Sequence, residues 1–533
     1  MEAEQLAAVP AGRRRIVIVG GGTAGWLAAW ICSARVAHSG RPWEVVMIES
    51  SAIPTIGVGE GTTALFKGFL EHFKLAEDEF VRETRATFKL GIRHRGWDGS
   101  DRYYDGPIDD PHWQNDVPGL PERELLNFHA VAEGLRVSQS HHFGQLMREH
   151  KVPFVRRGEA VERSSEFSHA YHFDNAKVAA WLRARLPQLP VIDAVVEGVD
   201  TDETKQAIKA LRCADGRLIA GDFFIDCTGF RRILTKALGG DAWTSYADCL
   251  PVNRAFPFQL PHRDGAPVAP YTHAWALDAG WLWQIPTQDR IGNGYAYCDR
   301  FTEPAAAQAE VERRLGHPIE PLADIKFEVG RLEKVWTGNC MAAGLASGFL
   351  EPLEATSIHT TLIQLLLFDR DCMAGEVPGD PAQADRFNAT VARVMDDFRT
   401  FLVVHYRGGR TDTPFWRHVK DDCFAPAAAE RLASWQGRMP LPADFERFLG
   451  GLPHAETQLY YPVLDGLGLL DRAAARREMA ALPPRLAAAV EGCWRHKVKQ
   501  AREVAGAALG HAAALQAIDR GLPITLPQRR AAG

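Results

Sequence analysis

The chain has 533 residues, of which 46% are hydrophobic and 24% are charged, a composition typical of a soluble globular protein with more than one packed core. Its formal net charge of −6 excludes the concentrated positive field that nucleic acid binding requires, and no apolar run is long enough to cross a membrane. Nine cysteines without a C-x-x-C pair indicate reduced thiols and argue against a metal site, so we expect a cytoplasmic protein.

The N-terminal stretch predicts a strand, a tight turn and a helix. The β-branched run at residues 15–19 is followed by an apolar helical pattern, and the glycines between them are Gly20, Gly22 and Gly25. This spacing lets the backbone approach a pyrophosphate, which then lies against N–H groups at the positive end of the helix dipole. A second strand, residues 44–49, ends in a carboxylate that can accept hydrogen bonds from ribose hydroxyls. Together these features predict a bound dinucleotide.

The segments that follow alternate between helical and irregular patterns. Residues 53–62 are rich in glycine and predict a loop whose backbone lies close to a ligand. Apolar residues at helical spacing occupy residues 65–73, and a second helical pattern begins at Glu77. Residues 96–121 are rich in Asp, Pro, Trp and Tyr without periodicity, so we predict an irregular segment that lines a ligand site.

The middle of the chain predicts a return to the first sheet. Asp174 is a good N-cap for a helix that ends near residue 186, and short strands follow at residues 195–196 and 207–212. A strand over residues 218–226 then ends at Asp226, shortly before Gly229. In proteins with a two-dinucleotide-binding fold, a strand with this ending returns to the first sheet beside the cofactor.

The remaining patterns complete the fold prediction. Residues 250–330 alternate as a mixed sheet does, and from Ile358 the pattern is helical nearly to the C-terminus. We therefore predict an α/β fold with a Rossmann-like, two-dinucleotide-binding module, a mixed β-sheet and a largely helical C-terminal subdomain. The predicted module covers residues 1–375, and the predicted helical subdomain covers residues 376–533.

Three distant blocks resemble one known family. They are residues 88–89, residues 280–286 with the pattern G-W-x-W-x-I-P, and residues 348–358, which contain F-L-E-P-L-E. With the glycine fingerprint and residues 56–60, they resemble the flavin-dependent tryptophan halogenases over most of the chain. The resemblance implies that reduced FAD, oxygen and chloride or bromide give hypohalous acid, which reaches a lysine through a tunnel. It also implies a helical subdomain that covers the substrate site.

The resemblance assigns roles to individual residues. Lys89 matches the lysine that presents the oxidant to an aromatic carbon, whereas without the resemblance it would be read as a surface charge. Glu354 matches the carboxylate beside that lysine, although an acid at a helix start is also favoured by the helix dipole. The halide is expected at the backbone N–H groups of Thr356 and Ser357.

The resemblance also assigns the cofactor and the wall around it. The expected FAD-binding residues are Gly20, Gly22, Thr23, Ala24, Gly25, Glu49, Val196, Leu345 and Ile358. The expected barrier between flavin and organic substrate is the strand that carries Trp281, Trp283, Ile285 and Pro286. Because only one dinucleotide fingerprint is present, reduced flavin is expected from a separate flavin reductase, and a homodimer is compatible with the pattern.

The substrate pattern departs from that of the family. Tyr103-Tyr104 is followed by Asp105 where the family has a histidine nearby, and no tryptophan precedes Tyr460-Tyr461. We therefore expect indole, a substituted indole or another electron-rich aromatic in place of free tryptophan. Two alternatives stay open from the sequence: an aromatic monooxygenase on the same fold, and a flavin-binding protein without turnover. His169 and His172 lack a third ligand at a suitable spacing, so no metal site is expected.

Overall fold

A computed structural model gives the fold and describes residues 8–53, 59–108, 124–165, 168–373, 380–445 and 455–526. The central part of the glycine-rich loop, residues 54–58, and residues 109–121 of the predicted irregular segment lie outside the described residues. Contacts divide the chain into two units. The first comprises residues 1–57, 174–247 and 328–398, and the second comprises residues 58–173, 248–327 and 399–533. This grouping cuts across the boundary expected at residue 375, which stays a prediction.

The described part of the chain forms 25 strands and 16 α-helices. The strands, β1 to β25 in chain order, are Arg14–Val19, Trp43–Glu49, Glu60–Gly61, Thr87–Lys89, Gly91–Arg95, Tyr103–Pro107, Phe154–Arg157, Ala160–Arg163, Ala170–Phe173, Val191–Asp193, Val196–Thr201, Ile208–Cys213, Leu218–Ala220, Phe223–Asp226, Trp243–Ser245, Arg254–Leu260, Thr272–Ala276, Gly280–Pro286, Ile291–Tyr297, Ile325–Lys326, Gly330–Leu332, Trp336–Thr337, Cys340–Ala342, Gly348–Phe349 and Ile524–Thr525. The helices, α1 to α16, are Thr23–Ser39, Ala64–His72, Glu77–Thr84, Leu125–Glu133, His142–Arg148, Asn175–Ala184, Ile233–Ala237, Pro304–Leu315, Thr356–Asp371, Pro381–His405, Pro414–Asp421, Pro426–Ser434, Thr457–Leu467, Arg472–Ala480, Pro484–Ala507 and His511–Asp519.

The first unit is built around a six-stranded sheet in the order β10-β2-β1-β14-β23-β22. Strand β1 pairs in parallel with β2 on one side and with β14 on the other, which confirms the predicted return of the later strand. The β-branched residues of β1 are fully buried, as expected for a central strand covered on both faces. Helix α1 begins directly after the glycines, so the unit has the predicted Rossmann-like start.

Asp226 fixes the turn at the end of β14. Its side chain is fully buried and accepts five hydrogen bonds, at 2.6–3.0 Å, from the backbone and hydroxyl groups of Thr228 and Thr235 and from the backbone N–H of Leu234. A buried carboxylate with this many donors is satisfied without a counter-ion. The turn that it orders therefore has one conformation next to the glycine fingerprint.

The strand predicted over residues 218–226 is in fact two strands. Leu218–Ala220 belongs to the small sheet β11-β12-β13, whereas Phe223–Asp226 belongs to the six-stranded sheet. The chain turns at Gly221, where a Cβ atom would lie 2.7 Å from Val17 Cγ2. Because both halves are apolar, hydrophobicity along the sequence does not reveal the break.

The second unit is organised by a seven-stranded sheet in the order β20-β16-β19-β18-β17-β5-β6. Side chains alternate along β18, so Trp281, Trp283 and Ile285 share one face and Gln284 lies on the other. This sheet confirms the mixed sheet predicted for residues 250–330. It also contains β5 and β6, and β6 lies inside the segment that we predicted to be irregular, so that prediction is wrong for residues 103–107.

Helices predominate after residue 358, as predicted, apart from the short strand β25. One apolar cluster joins α4 to α14 and α15 through residues such as Leu126, Ala475 and Trp494. No helix within the described ranges is long and apolar enough to cross a membrane. The nine cysteines are free thiols, and seven of them are buried.

Candidate active site

The first unit contains a cleft at the carboxyl ends of β1 and β2. Its volume is about 570 Å³, and its walls include Gly20, Gly22, Glu49, Val196 and Thr228. This is the edge at which open parallel sheets bind nucleotides. The structure thus gathers residues from both halves of the first unit's chain around the predicted dinucleotide site.

The glycines of the fingerprint serve two different purposes. A Cβ atom at Gly20 would lie 2.2 Å from Cys227 O, and one at Gly25 would lie 1.8 Å from Gly20 O, so these two glycines allow the backbone to pack. Gly22 is different, because a Cβ atom there would have no neighbour within 4 Å. The open space above Gly22 faces the N-terminus of α1, where a phosphate group is stabilised by free N–H groups.

Glu49 lies in the wall of the cleft, where the sequence places an acceptor for ribose. Its Oε2 accepts a hydrogen bond from Trp26 Nε1 at 3.2 Å, and its Oε1 pairs with Arg183 Nη1. Asp193 also lines the cleft and accepts hydrogen bonds from Ser51 N and Oγ at 2.9 and 2.6 Å. Arg183 and Asp193 were missed from the sequence because no local motif connects them to the fingerprint.

A partnerless hydroxyl lies directly after Gly22, in the first turn of α1. Thr23 Oγ1 is buried and has no hydrogen-bond partner within the described residues. A buried hydroxyl is almost always hydrogen-bonded, so a phosphate oxygen is a suitable missing partner. Ala24 follows in α1, and a Cβ atom at Gly344 would lie 2.6 Å from Ala24 Cβ. The donor set and the close packing both fit a dinucleotide.

The expected flavin contacts downstream have different exposures. Leu345 lies in a short 3₁₀ helix, Gly344–Ala346, and is 38% exposed, so it presents an apolar side chain at the surface of the first unit. Ile358 is buried in the first turn of α9, and Val196 is buried at the start of β11. An exposed leucine next to a glycine turn is available to a planar apolar ligand.

The segment around Glu354 forms an unusual helix start. A 3₁₀ turn, Pro352–Glu354, is followed by Ala355 in the left-handed conformation, at φ 55°, and then by α9. Glu354 is half-buried and stands just before the N–H groups of Thr356 and Ser357, which lack intrahelical partners. Thr356 Oγ1 is also buried without a hydrogen-bond partner in the part of the chain that is described. These donors fit a small anion at the positive end of the helix.

Lys89 lies at the end of β4 in the second unit and is 1% exposed. Its Nζ donates a hydrogen bond to Thr62 O at 2.9 Å. A Cβ atom at Gly61 would lie 3.1 Å from that Nζ, so the glycine leaves room for the ammonium group. Most lysines are exposed, and one that is buried on a strand has a reason for its position. The surface-charge interpretation of Lys89 is therefore wrong.

A neutral histidine stands on the same short sheet as Lys89. His172 is fully buried on β9, and its Nε2 lies 2.8 Å from Thr272 Oγ1. Burial, together with the positive charge of Lys89, lowers the pKa of His172 well below its usual value. Thr272 Oγ1 would lie 3.4 Å from a Cβ atom at Gly61, so it is close to the lysine. Thr62 O and Thr272 Oγ1 are thus polar neighbours of the ammonium group.

The tryptophan strand lies against the lysine segment within the second unit. Trp281 and Trp283 are buried, with ring centroids 6.1 Å apart, and Ile285 is 3.3 Å from a Cβ atom placed at Gly59. Thr87 Oγ1 donates to Pro286 O at 2.5 Å, which connects β4 to the end of β18. The expected barrier strand and the strand of the expected lysine, which belong to two different sheets, are thus in contact at Pro286.

The two histidines considered for a metal have separate partners. His169 Nε2 is paired with Glu77 Oε1 at 2.5 Å, and Tyr171 also donates to that oxygen, at 2.7 Å. His172 is engaged with Thr272, as described above. Each imidazole therefore belongs to its own hydrogen-bond network.

Comparisons with known proteins show which family the chain belongs to. The family model for tryptophan halogenase matches residues 15–478. The chain is 33% identical over 514 residues to the 7-chloro-L-tryptophan 6-halogenase KtzR of Kutzneria sp. (strain 744), covering 89% of this chain and 96% of that protein. It is 32% identical over 493 residues to the tryptophan 7-halogenase RebH of Lentzea aerocolonigenes, covering 87% of this chain and 91% of that protein. The solved structure of BrvH, a flavin-dependent halogenase from Brevundimonas sp. BAL3, superposes with a TM-score of 0.80 at 29% identity, covering 95% of this chain and 99% of that one.

Proposed function

Because the chain belongs to the tryptophan halogenase family, it is a flavin-dependent halogenase, and we propose that its flavin is FAD in the reduced form. The observation that carries the choice of FAD is the cleft around Gly22, with Glu49 in its wall and the partnerless Thr23 hydroxyl nearby. Glu49 suits the ribose hydroxyls and the α1 N-terminus suits the pyrophosphate. Leu345 and Ile358 are the proposed contacts of the flavin ring.

The halide is proposed to bind at the N-terminus of α9. When bound, reduced flavin and oxygen supply the oxidising equivalents that turn chloride or bromide into hypohalous acid. The N–H groups of Thr356 and Ser357 hold the anion, because they point along the helix axis and carry the positive end of its dipole. Thr356 Oγ1 offers one more donor.

Lys89 is the proposed point at which hypohalous acid is used. Its buried ammonium group donates hydrogen bonds in a fixed direction, because Thr62 O holds Nζ and Gly61 leaves space beside it. An ammonium group held in a buried site orients a small neutral oxidant better than a mobile surface group does. Glu354 is the proposed second catalytic group, since a carboxylate stabilises the cationic ring formed by aromatic substitution and accepts its proton.

The strand of Trp281 and Trp283 is the proposed wall between the flavin and the organic substrate. The buried indoles of Trp281 and Trp283 pack together with Ile285 and Pro286 and leave no space for the organic substrate among them. Such a wall favours oxidation of a small halide over direct oxygen transfer to the substrate. It therefore favours a halogenase over an aromatic monooxygenase.

The proposed substrate is an electron-rich aromatic such as an indole. KtzR is described as a 7-chloro-L-tryptophan 6-halogenase and RebH as a tryptophan 7-halogenase. In this chain, Asp105 follows Tyr103-Tyr104, where the family pattern leads us to expect a histidine nearby. Asp105 is held by Arg93, which donates to both of its carboxylate oxygens at 2.7 and 3.1 Å, so this side chain is already engaged. A substrate without the amino acid group agrees with that difference. A separate flavin reductase is proposed to supply reduced FAD, and a homodimer is compatible with the proposal.

Product analysis tests the proposal. The protein is incubated with FAD, a flavin reductase, oxygen, bromide or chloride, and a panel of indoles and phenols, and products are identified by mass spectrometry. Halogen isotope patterns that require added halide are the expected result. Hydroxylated products would support the monooxygenase, and flavin binding without any product would support a flavin-binding protein without turnover.

A further inference from the structure

The second unit contains a separate cavity of about 360 Å³ beside β6, α5, α13 and α15. Three guanidinium groups and two carboxylates reach its walls. The guanidinium groups belong to Arg136, Arg148 and Arg502, and the carboxylates belong to Asp105 and Asp465. The pairing of these charges decides what the cavity can bind.

Both carboxylates are already compensated. Asp105 is held by Arg93, which approaches from outside this cavity and donates to both carboxylate oxygens. Asp465 accepts a hydrogen bond from the backbone N–H of Val137 at 3.2 Å, and its Oδ1 is 3.5 Å from Arg136 Nη1. Burial raises the pKa of Asp465 to about 6, and the charge of Arg136 opposes that rise. Arg148 and Arg502 are therefore left without a hydrogen-bonded or ion-paired carboxylate in the described part of the chain.

Arg148, at the end of α5, is a partly buried cation with weak compensation. Within the described residues it makes one hydrogen bond, from Nη2 to Gln145 Oε1 at 2.8 Å, and that partner is neutral. Burial lowers the pKa of Arg148. Burial alone would lower the pKa of the neighbouring Arg93 as well, but the ion pair with Asp105 raises the pKa of Arg93 above its usual value. The difference is one of contact: Arg93 forms a bidentate pair with Asp105, whereas the charges of Asp105 and Glu149 act on Arg148 without a hydrogen bond or ion pair in the described residues.

Arg502 adds a second uncompensated charge from α15. It is exposed and forms no hydrogen bond or ion pair in the described part of the chain, so its side chain is available to the cavity. Two guanidinium groups in the walls of one cavity can bind one anion with paired N–H donors. The volume is in the range of small-ligand sites.

We propose that this cavity binds a small molecule through a carboxylate or phosphate group held by Arg148 and Arg502. Planar guanidinium groups match the geometry of both anions, and the neutral Gln145 positions one of them. Tyr103 lines the cavity and is half exposed; the Arg93 guanidinium lies over its ring, 4.2 Å from the centroid, and the uncovered part of the ring supplies apolar surface for the rest of the ligand. Arg148 and Arg502 have no role in the proposed halogenation, although Tyr103 and Asp105 in the same walls belong to the substrate pattern discussed above.

Calorimetric titration of the full-length protein with inorganic phosphate and with glutarate tests the site at constant ionic strength. Saturable binding is expected for the wild type, and Arg148→Gln or Arg502→Gln should weaken it about tenfold, which is about 1.4 kcal/mol. Arg495→Gln is the matched control, since Arg495 lies on the same helix but does not line the cavity. Asp465→Asn removes a negative charge from the wall and should tighten binding about threefold.

The two probes distinguish the two anions. Tighter binding of phosphate assigns a phosphate ester, and tighter binding of glutarate assigns a carboxylate ligand. Absence of saturable binding by the wild type contradicts the site. Equal weakening by Arg495→Gln also contradicts it, because the effect would then follow total charge. Unchanged unfolding midpoints confirm that the variants are folded.

Discussion

Replacement of Gly22 by alanine separates the role of this glycine in folding from its role in binding. A Cβ atom at Gly22 has no neighbour within 4 Å, and its backbone, at φ −77° and ψ −179°, suits any residue. Alanine is a poorer N-cap than glycine, which lowers the free energy of unfolding by about 1 kcal/mol. Alanine also reduces the conformational entropy of the unfolded chain, which raises the free energy of unfolding by about 0.7 kcal/mol. The free energy of unfolding should therefore change by less than about 1 kcal/mol.

Binding of FAD should respond quite differently to the same change. The added methyl group occupies the place where the pyrophosphate approaches the backbone, so we expect FAD affinity to fall about 100-fold, or about 2.7 kcal/mol. Urea unfolding measures the stability, and fluorescence quenching measures the FAD affinity. Wild-type FAD affinity in Gly22→Ala would refute the placement of the dinucleotide at this glycine.

Two other glycines provide matched controls. Gly25→Ala puts a Cβ atom 1.8 Å from Gly20 O and should lower stability by about 3 kcal/mol. Gly68→Ala lies in α2 with open space around its Cβ position and should raise stability by about 0.7 kcal/mol without affecting FAD binding. The three variants together distinguish a binding effect from a packing effect.

Further predictions concern buried polar groups. Asp226→Asn leaves backbone N–H groups of the turn after β14 facing an amide NH₂ group, which cannot accept their hydrogen bonds. The free energy of unfolding, measured with urea, should therefore fall by about 3 kcal/mol. Thr272→Val removes the hydroxyl beside His172 and should lower kcat about tenfold through Lys89, while the KM for halide stays unchanged, as steady-state kinetics can show. Burial alone would raise the pKa of Glu77, but the charges around it lower that pKa to about 2. A carboxylate whose pKa is lower in the folded than in the unfolded state stabilises the fold at pH values above its unfolded pKa. The difference in unfolding free energy between wild type and Glu77→Gln should therefore shrink as the pH falls from about 4.5 towards 2, and thermal unfolding at a series of pH values measures it.

Local patterns predicted the first unit well. The β1-α1-β2 sequence has a single clear period in each element, and the N-cap predicted at Asp174 is observed, with its Oδ1 accepting from Ala176 N and Lys177 N. Strand β14 was placed correctly because a strand that ends before Thr228 and Gly229 is typical of this type of module. These elements carry their own turn and cap signals.

Other elements could not be predicted because distant contacts determine them. Strands β5 and β6 contain Arg93 and Asp105, which read as polar loop residues but pair with each other across the strands. The environment of Lys89 is formed by Gly61 and Thr62, at the end of β3, and by Thr272, at the start of β17, both distant from it in the sequence. Neither burial nor hydrogen bonding of this lysine follows from the local sequence around it.

The central claim is that oxidant formed with the flavin is used at Lys89, and the product balance of Lys89→Ala tests it most directly. Oxidation of reduced FAD and formation of free hypohalous acid, captured by an added thioether, should continue while halogenated aromatic product falls at least about 100-fold. Lys326→Ala, an exposed lysine of the same unit, should behave as the wild type. Continued halogenation of the aromatic substrate by Lys89→Ala would contradict the account.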